Sequence, residues 1–211
     1  MSPKRKRPAS RTPGRPRSST SRHAILKAAY QILREAGFAG FTVEGVAARA
    51  GAGKATIYRW WQTKGTLAIE AFLVAVAPRM DAVKESASPI ADLRSQVHVA
   101  ATLYRGRVGQ LLRELIALGQ EDSETARVLR NDFVEPRRQA ALRLLQRAQA
   151  TGEIARDMDI EVLADALWGP IFHRLLVSRM PLDRGFIDKL LDLVLGGALR
   201  GGRSIAGHDP E

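Results

Sequence analysis

Lys54, Thr56, Tyr58, Arg59 and Trp60 bring two cations, hydroxyls and two aromatic faces into seven residues. These side-chain types reach phosphate oxygens and base edges in a major groove. Acting together requires a scaffold that holds them on one exposed face, and the residues just before them supply it. Val43, Val46, Ala47 and Ala50 fall at i, i+3, i+4 and i+7, the apolar stripe of a two-turn helix. Thr42 stands where its hydroxyl can cap that helix, and Glu44 places a carboxylate near the positive end of its dipole. Gly51 supplies the positive φ that ends it. A second helix is predicted from about Lys54 to Trp61, with Ile57 and Trp61 facing inward. Two short helices about a glycine turn make a helix-turn-helix.

A helical hairpin with a solvated basic face would share this pattern, and the location of charge decides against it. The chain carries a net charge of +11. Residues 1–22 hold eight basic residues and no acidic one, and residues 23–65 hold six basic and two acidic. Residues 66–211 are close to neutral, with 19 basic and 20 acidic residues. Positive charge beside the hairpin and not over the bulk is the footprint of a nucleic-acid-binding head on a non-binding body.

The run AILKAAYQILREAGFAGFTVEGVAARAGAGKATIYRWWQTKGTLAIEAF, residues 24–72, resembles the DNA-binding domain of the tetracycline-repressor (TetR) family of bacterial transcriptional regulators. It holds the Gly-Phe pair before the Thr, the Ala-Arg-Ala-Gly turn, the Thr-Ile-Tyr core and a Lys opening the next helix. The resemblance implies that Thr42, Tyr58 and Lys64 contact phosphates, that Lys54, Ala55, Thr56 and Trp60 approach base edges, and that Arg59 does either. Two positions depart from the family pattern. Gly53 replaces the usual Ser cap of the recognition helix, weakening it by a few tenths of a kcal/mol. Gly65 replaces an acidic residue, which would leave the start of helix 4 more positive or more mobile.

Residues 1–20, MSPKRKRPASRTPGRPRSST, have almost nothing to bury and are expected to form a disordered basic arm. Gly14-Arg15-Pro16-Arg17 resembles the core of an AT-hook, an arm for A·T-rich minor grooves; a polybasic tail is the simpler reading. Both readings put Arg15 and Arg17 on DNA. The basic N-terminus precedes no apolar segment of a secretory signal, and no run of about eighteen apolar residues appears, so a cytoplasmic protein that does not enter the membrane is expected. Without cysteine, disulfides and thiol catalysis are excluded. His23, His98, His173 and His208 are scattered, with no ligand spacing for a metal and no constellation that suggests an enzyme or a cofactor.

The fold expected is all-α, with about nine helices: a three-helix head (21–65) joined through helix 4 to a helical regulatory and dimerisation body (66–203), then a disordered tail (204–211). The last two helices, roughly 159–180 and 183–200, are apolar nearly all round and need cover on every side. A second copy of the chain is the natural cover, placing Leu191, Leu195, Gly196 and Gly197 at a homodimer interface; a deeply buried monomer core is the other reading. The resemblance also implies a dimer built from the last two helices. Pro136 and Gly169-Pro170 interrupt two body helices, and Tyr104, Phe133, Trp168 and Phe172 are the large side chains nearest those breaks, with Arg137 one turn from Phe133. They are candidate walls of a ligand pocket, although aromatic residues on an apolar stripe also serve as plain core. The whole reads as a dimeric regulator of a double-stranded operator, most simply a repressor released by an unidentified small-molecule effector. An architectural DNA-binding protein, or a regulator with no ligand, would share most of these features.

Overall fold

The computed structural model describes residues 17–80, 85–121 and 123–197, and these residues form nine helices and no strand. The head comprises α1 (Arg17–Ala36), α2 (Val43–Ala50) and α3 (Lys54–Tyr58), and α4 (Lys64–Met80) leads out of it. The body comprises α5 (Pro89–Leu103), α6 (Gly106–Glu121), α7 (123–151), α8 (160–178) and α9 (Arg184–Gly196). Both α7 and α8 contain a widened π turn, at Leu129–Val134 and at His173–Ser178.

Most of the arm, including Arg15, and the tail after Gly197 lie outside the described residues. The part of the arm that is described is helical: α1 begins at Arg17 and not Ser21. The side chain of Arg17 is outside the described set.

The head closes over Ile25, Leu33, Phe41, Val46, Ile57 and Trp61, all buried. Each contributes about 1.5–3 kcal/mol by leaving water. The Thr42 hydroxyl accepts from the Gly45 N–H at 3.1 Å, and Gly51 at φ 61° closes α2. No side chain caps α3, as Gly53 implies. This helix is shorter than expected, ending at Tyr58. The chain must present Trp61 to the core and start α4 three residues later, so the Trp60 and Trp61 N–H groups both fold back onto the Ile57 carbonyl.

Thr63 caps α4, accepting from the Thr66 N–H at 3.1 Å. Pro78 lies inside this helix, which continues to Met80. The proline sits on the exposed side of the last turn, where water can serve the Val74 carbonyl that lost its partner.

Gly65 has a different reason from the one its sequence context offers. It is buried where the start of α4 meets α6 and α7, and a Cβ there would lie 2.4 Å from the Thr125 hydroxyl and 3.1 Å from Leu118. The residue permits a close approach and does not loosen the region. Gly65→Asp is therefore expected to lower stability by about 1–3 kcal/mol through overpacking, read as a drop in urea midpoint. An unchanged midpoint would show that the α4 joint yields freely.

The body core runs through Val97, Leu111, Leu115, Leu145, Leu167, Ile171 and Ile187. Leu191 and Leu195 belong to it, both 0% exposed, and this corrects their assignment to a dimer interface. Asp188, Lys189 and Asp192 give α9 a polar side, so it is not apolar all round, and the helix packs with Leu191 and Leu195 inward, against α5 and α8. Its exposed residues include Leu193, at 79%, with Lys189, Asp192, Gly196 and Gly197. Among the described residues no helix is long and apolar enough to cross a membrane.

Candidate nucleic-acid interface and ligand cavity

The α2–turn–α3 unit presents Thr42, Lys54, Ala55, Tyr58, Arg59 and Trp60 on exposed surface, with Lys64 beside them at the start of α4; Thr56 is half-buried. Tyr58 and Trp60 are 50% and 43% exposed, a large apolar area for a head to leave in water unless it meets something. Arg59 lies 5.9 Å from the Trp60 ring and Lys64 4.6 Å from the Phe38 ring, so both cations are held over aromatic faces.

The Lys54 ammonium donates to the Glu44 carboxylate at 3.0 Å. That hydrogen bond holds Glu44 below the usual carboxylate range and Lys54 above the usual lysine range. Both groups are exposed, so the pair adds little stability. Its consequence is positional: it aims Lys54 from the first residue of α3, and a base edge or phosphate must displace Glu44 to take it.

An anchor that sequence reasoning missed fixes the end of α3. Glu70 on α4 accepts from the Trp61 indole N–H at 2.5 Å and from the Arg22 guanidinium on α1. The guanidinium also lies 5.8 and 5.7 Å from the Trp60 and Trp61 rings. Spacing offered no signal, because the three residues come from separate elements.

The five residues singled out in the body converge. Tyr104, Phe133, Arg137, Trp168 and Phe172 line one cavity of about 330 Å³ between the α5–α6 bend, α7 and α8. Val134, Arg138, Asp165 and Gly169 complete its wall. These additions were legible in principle: 165, 168, 169 and 172 share one face of α8, as 133, 134, 137 and 138 share one of α7. The Tyr104 ring lies 6.4 Å from Phe133 and 6.3 Å from Phe172. Pro136 stands two residues after the π turn of α7, and the Arg137 guanidinium donates to the Phe133 carbonyl at 2.7 Å while lying 4.0 Å from its ring. Such wide turns occur often at functional sites.

Polar groups in this cavity are mostly donors. The Trp168 indole N–H is buried with no acceptor among the described residues. Burial pushes the Tyr104 phenol up to about 12, an effect that the facing Arg137 charge partly offsets, so the hydroxyl stays protonated. The Asp165 carboxylate lies 3.5 Å from Arg138, which also pairs with Glu161. An apolar cavity of this size with few convergent donors is the usual form of a small-molecule site.

Head and body meet at a second joint besides α4. Arg107, in the first turn of α6, donates to the Arg34 and Leu33 carbonyls at 2.8 and 3.0 Å, at the end of α1. Glu114, two turns further on, accepts from the Phe38 N–H at 2.8 Å. The same helix starts two residues after Tyr104, a wall of the cavity. Among the described residues no group of three His, Asp or Glu side chains could hold a metal ion.

Comparison with known proteins covers both halves. Residues 25–71 match the family described as bacterial regulatory proteins, tetR family, and residues 83–194 match the tetracyclin repressor-like C-terminal domain. An HTH-type transcriptional regulator of Bacillus subtilis, YdeS, is 37% identical over 178 residues, 84% of this chain and 89% of that protein. The DNA-binding transcriptional repressor TetR of Mycobacteroides abscessus is 30% identical over 186 residues, 88% and 97% of the two chains. The crystal structure of the TetR family transcription regulator SCO0332 superposes with a TM-score of 0.74 at 35% identity, over 84% of this chain and 98% of that one.

Proposed function

This chain belongs to the TetR family of bacterial transcriptional regulators, DNA-binding proteins and not enzymes, and we propose that it is a dimeric cytoplasmic repressor released from its operator by a small molecule. The observation that carries the reading is the exposed row of Lys54, Tyr58, Arg59 and Trp60 on a head whose core is otherwise closed. Phosphate contacts from Thr42, Tyr58 and Lys64 would set the register of α3 in the major groove. Base contacts from Lys54, Ala55, Thr56 and Trp60 would then read sequence, with Arg59 on either.

The aromatic cavity supports the second half of the reading. A ligand shifts a two-state equilibrium only by binding one state better than the other, so it must favour a head placement that no longer fits the operator. The Arg107 and Glu114 contacts supply a path, because any displacement of Tyr104 and the first turn of α6 is passed to the end of α1.

Binding to a pseudo-palindromic operator duplex and to a scrambled duplex, at one fixed salt concentration, tests the reading. The specific site is expected to bind about 10³-fold more tightly or better. Half-sites should lie about one helical turn apart or a multiple of it. Affinity that barely depends on sequence would mark an architectural binder and overturn the proposal.

A further inference from the structure

Tyr104 is a wall of two cavities, and the second has a different chemistry. It is a cleft of about 330 Å³ where the α5–α6 bend meets the loop between α8 and α9. Arg105, Arg113, Arg174 and Arg179 all line it. None of the four forms an ion pair among the described residues. The acidic residue in the wall, Asp183, is already engaged: it caps α9, accepting from the Phe186 N–H at 2.8 Å. Arg105 and Arg174 hold the loop, donating to the Leu182 and Pro181 carbonyls at 2.7 and 2.8 Å. Each keeps further N–H donors on the same guanidinium.

The side chains of Arg113 and Arg179 make no hydrogen bond or ion pair among the described residues, although Arg113 is half-buried. Arg179 stands at φ 53°, the left-handed turn that ends α8, where glycine would sit without strain. Four guanidiniums against the single Asp183 carboxylate leave this wall net positive and focus a positive field on the space between them. Guanidinium forks match the oxygens of a phosphate.

We propose that this cleft binds the phosphate group of a small-molecule effector whose apolar part fills the aromatic cavity on the other side of Tyr104. The proposal rests on that cavity being the effector site. Four guanidiniums suit a dianionic phosphate ester better than a single carboxylate, and the shared Tyr104 places apolar body and anionic group one side chain apart. Arg105 and Arg107 flank Gly106 at the start of α6, so an anion that draws Arg105 inward also moves the turn that grips α1.

Calorimetric titration of the full chain with 1-naphthyl phosphate, 1-naphthol and inorganic phosphate tests this. Naphthyl phosphate should bind at least about tenfold more tightly than naphthol. Arg113→Gln with Arg179→Gln should abolish that advantage and leave naphthol binding unchanged, since neither side chain supports the fold. Trp168→Ala should weaken both naphthyl probes. If the double variant binds naphthyl phosphate as the parent does, the cleft is not the phosphate site. If naphthol binds but the phosphate adds nothing, the cavity reading stands and this inference falls. Binding of inorganic phosphate alone, with no gain from the naphthyl group, would mark an ion site unconnected to the cavity and also overturn it. No binding by either naphthyl compound overturns both.

Discussion

Leu193→Glu is expected to give folded monomers whose operator affinity is lower by about 100-fold or more. The outward faces of α8 and α9 carry Val162, Ala166, Gly169 and Val177 with Leu193, Gly196 and Gly197, all exposed. Apolar residues left in water on two helices that pack together are candidates for burial by a partner. Would-be Cβ atoms on Gly169, Gly196 and Gly197 meet nothing within 4 Å, which leaves room for a partner backbone to approach. In a lone protomer a glutamate at 193 stays in water and costs little. Buried against a second copy, it becomes an unpaired charge that costs several kcal/mol. Losing the partner also loses the second head, and with it the gain from binding two half-sites at once. Leu191→Glu or Leu195→Glu should behave differently, unfolding the protomer because those carboxylates enter its own core. Sedimentation equilibrium separates the cases. A dimer of unchanged affinity in Leu193→Glu would place the interface elsewhere.

That contrast shows where sequence stops being informative. In α2 the apolar positions recur on one side only, so period and inward face are both legible, and Val43, Val46 and Ala47 are buried as their spacing requires. In α9 Asp188, Lys189 and Asp192 mark a polar side, but leucine and valine cover the rest, so the spacing alone does not say which of them face the protomer's own core. Leu193 and Leu195 look alike until α5 and α8 are packed against one of them. The cavity residues could be grouped because proline and glycine stand within their helices, which remain continuous, and they point to the large side chains around them. The joints between head and body had no such mark. Arg107 and Glu114 read as charges on a solvated helix, and their acceptors and donors lie more than 70 residues away. Gly65 read as a missing acid because the Thr125 that crowds it is remote in sequence.

On the head, the largest separable effects are expected from Lys54 and Lys64, because one can report sequence and the other only charge. Lys54 projects from the first turn of α3, held by Glu44 in an exposed pair that a guanine edge can replace at little cost. Lys54→Ala should cost about 1–3 kcal/mol on the true operator and much less on scrambled duplex. Lys64 lies at the N-terminus of α4, its ammonium steadied over Phe38. The helix dipole there adds to its charge, an arrangement suited to a backbone phosphate. Lys64→Ala should weaken every duplex by a similar factor and reduce the slope of log affinity against log salt by about 1. Tyr58→Ala should resemble Lys64→Ala in its indifference to sequence, but with the salt slope nearly intact, since a phenol reaches phosphate without releasing a counterion through a charge of its own. Fluorescence anisotropy at four salt concentrations on both duplexes distinguishes the three. If Lys54→Ala and Tyr58→Ala both keep full operator affinity, α3 is not the reading element. The exposed aromatic row would then need another partner.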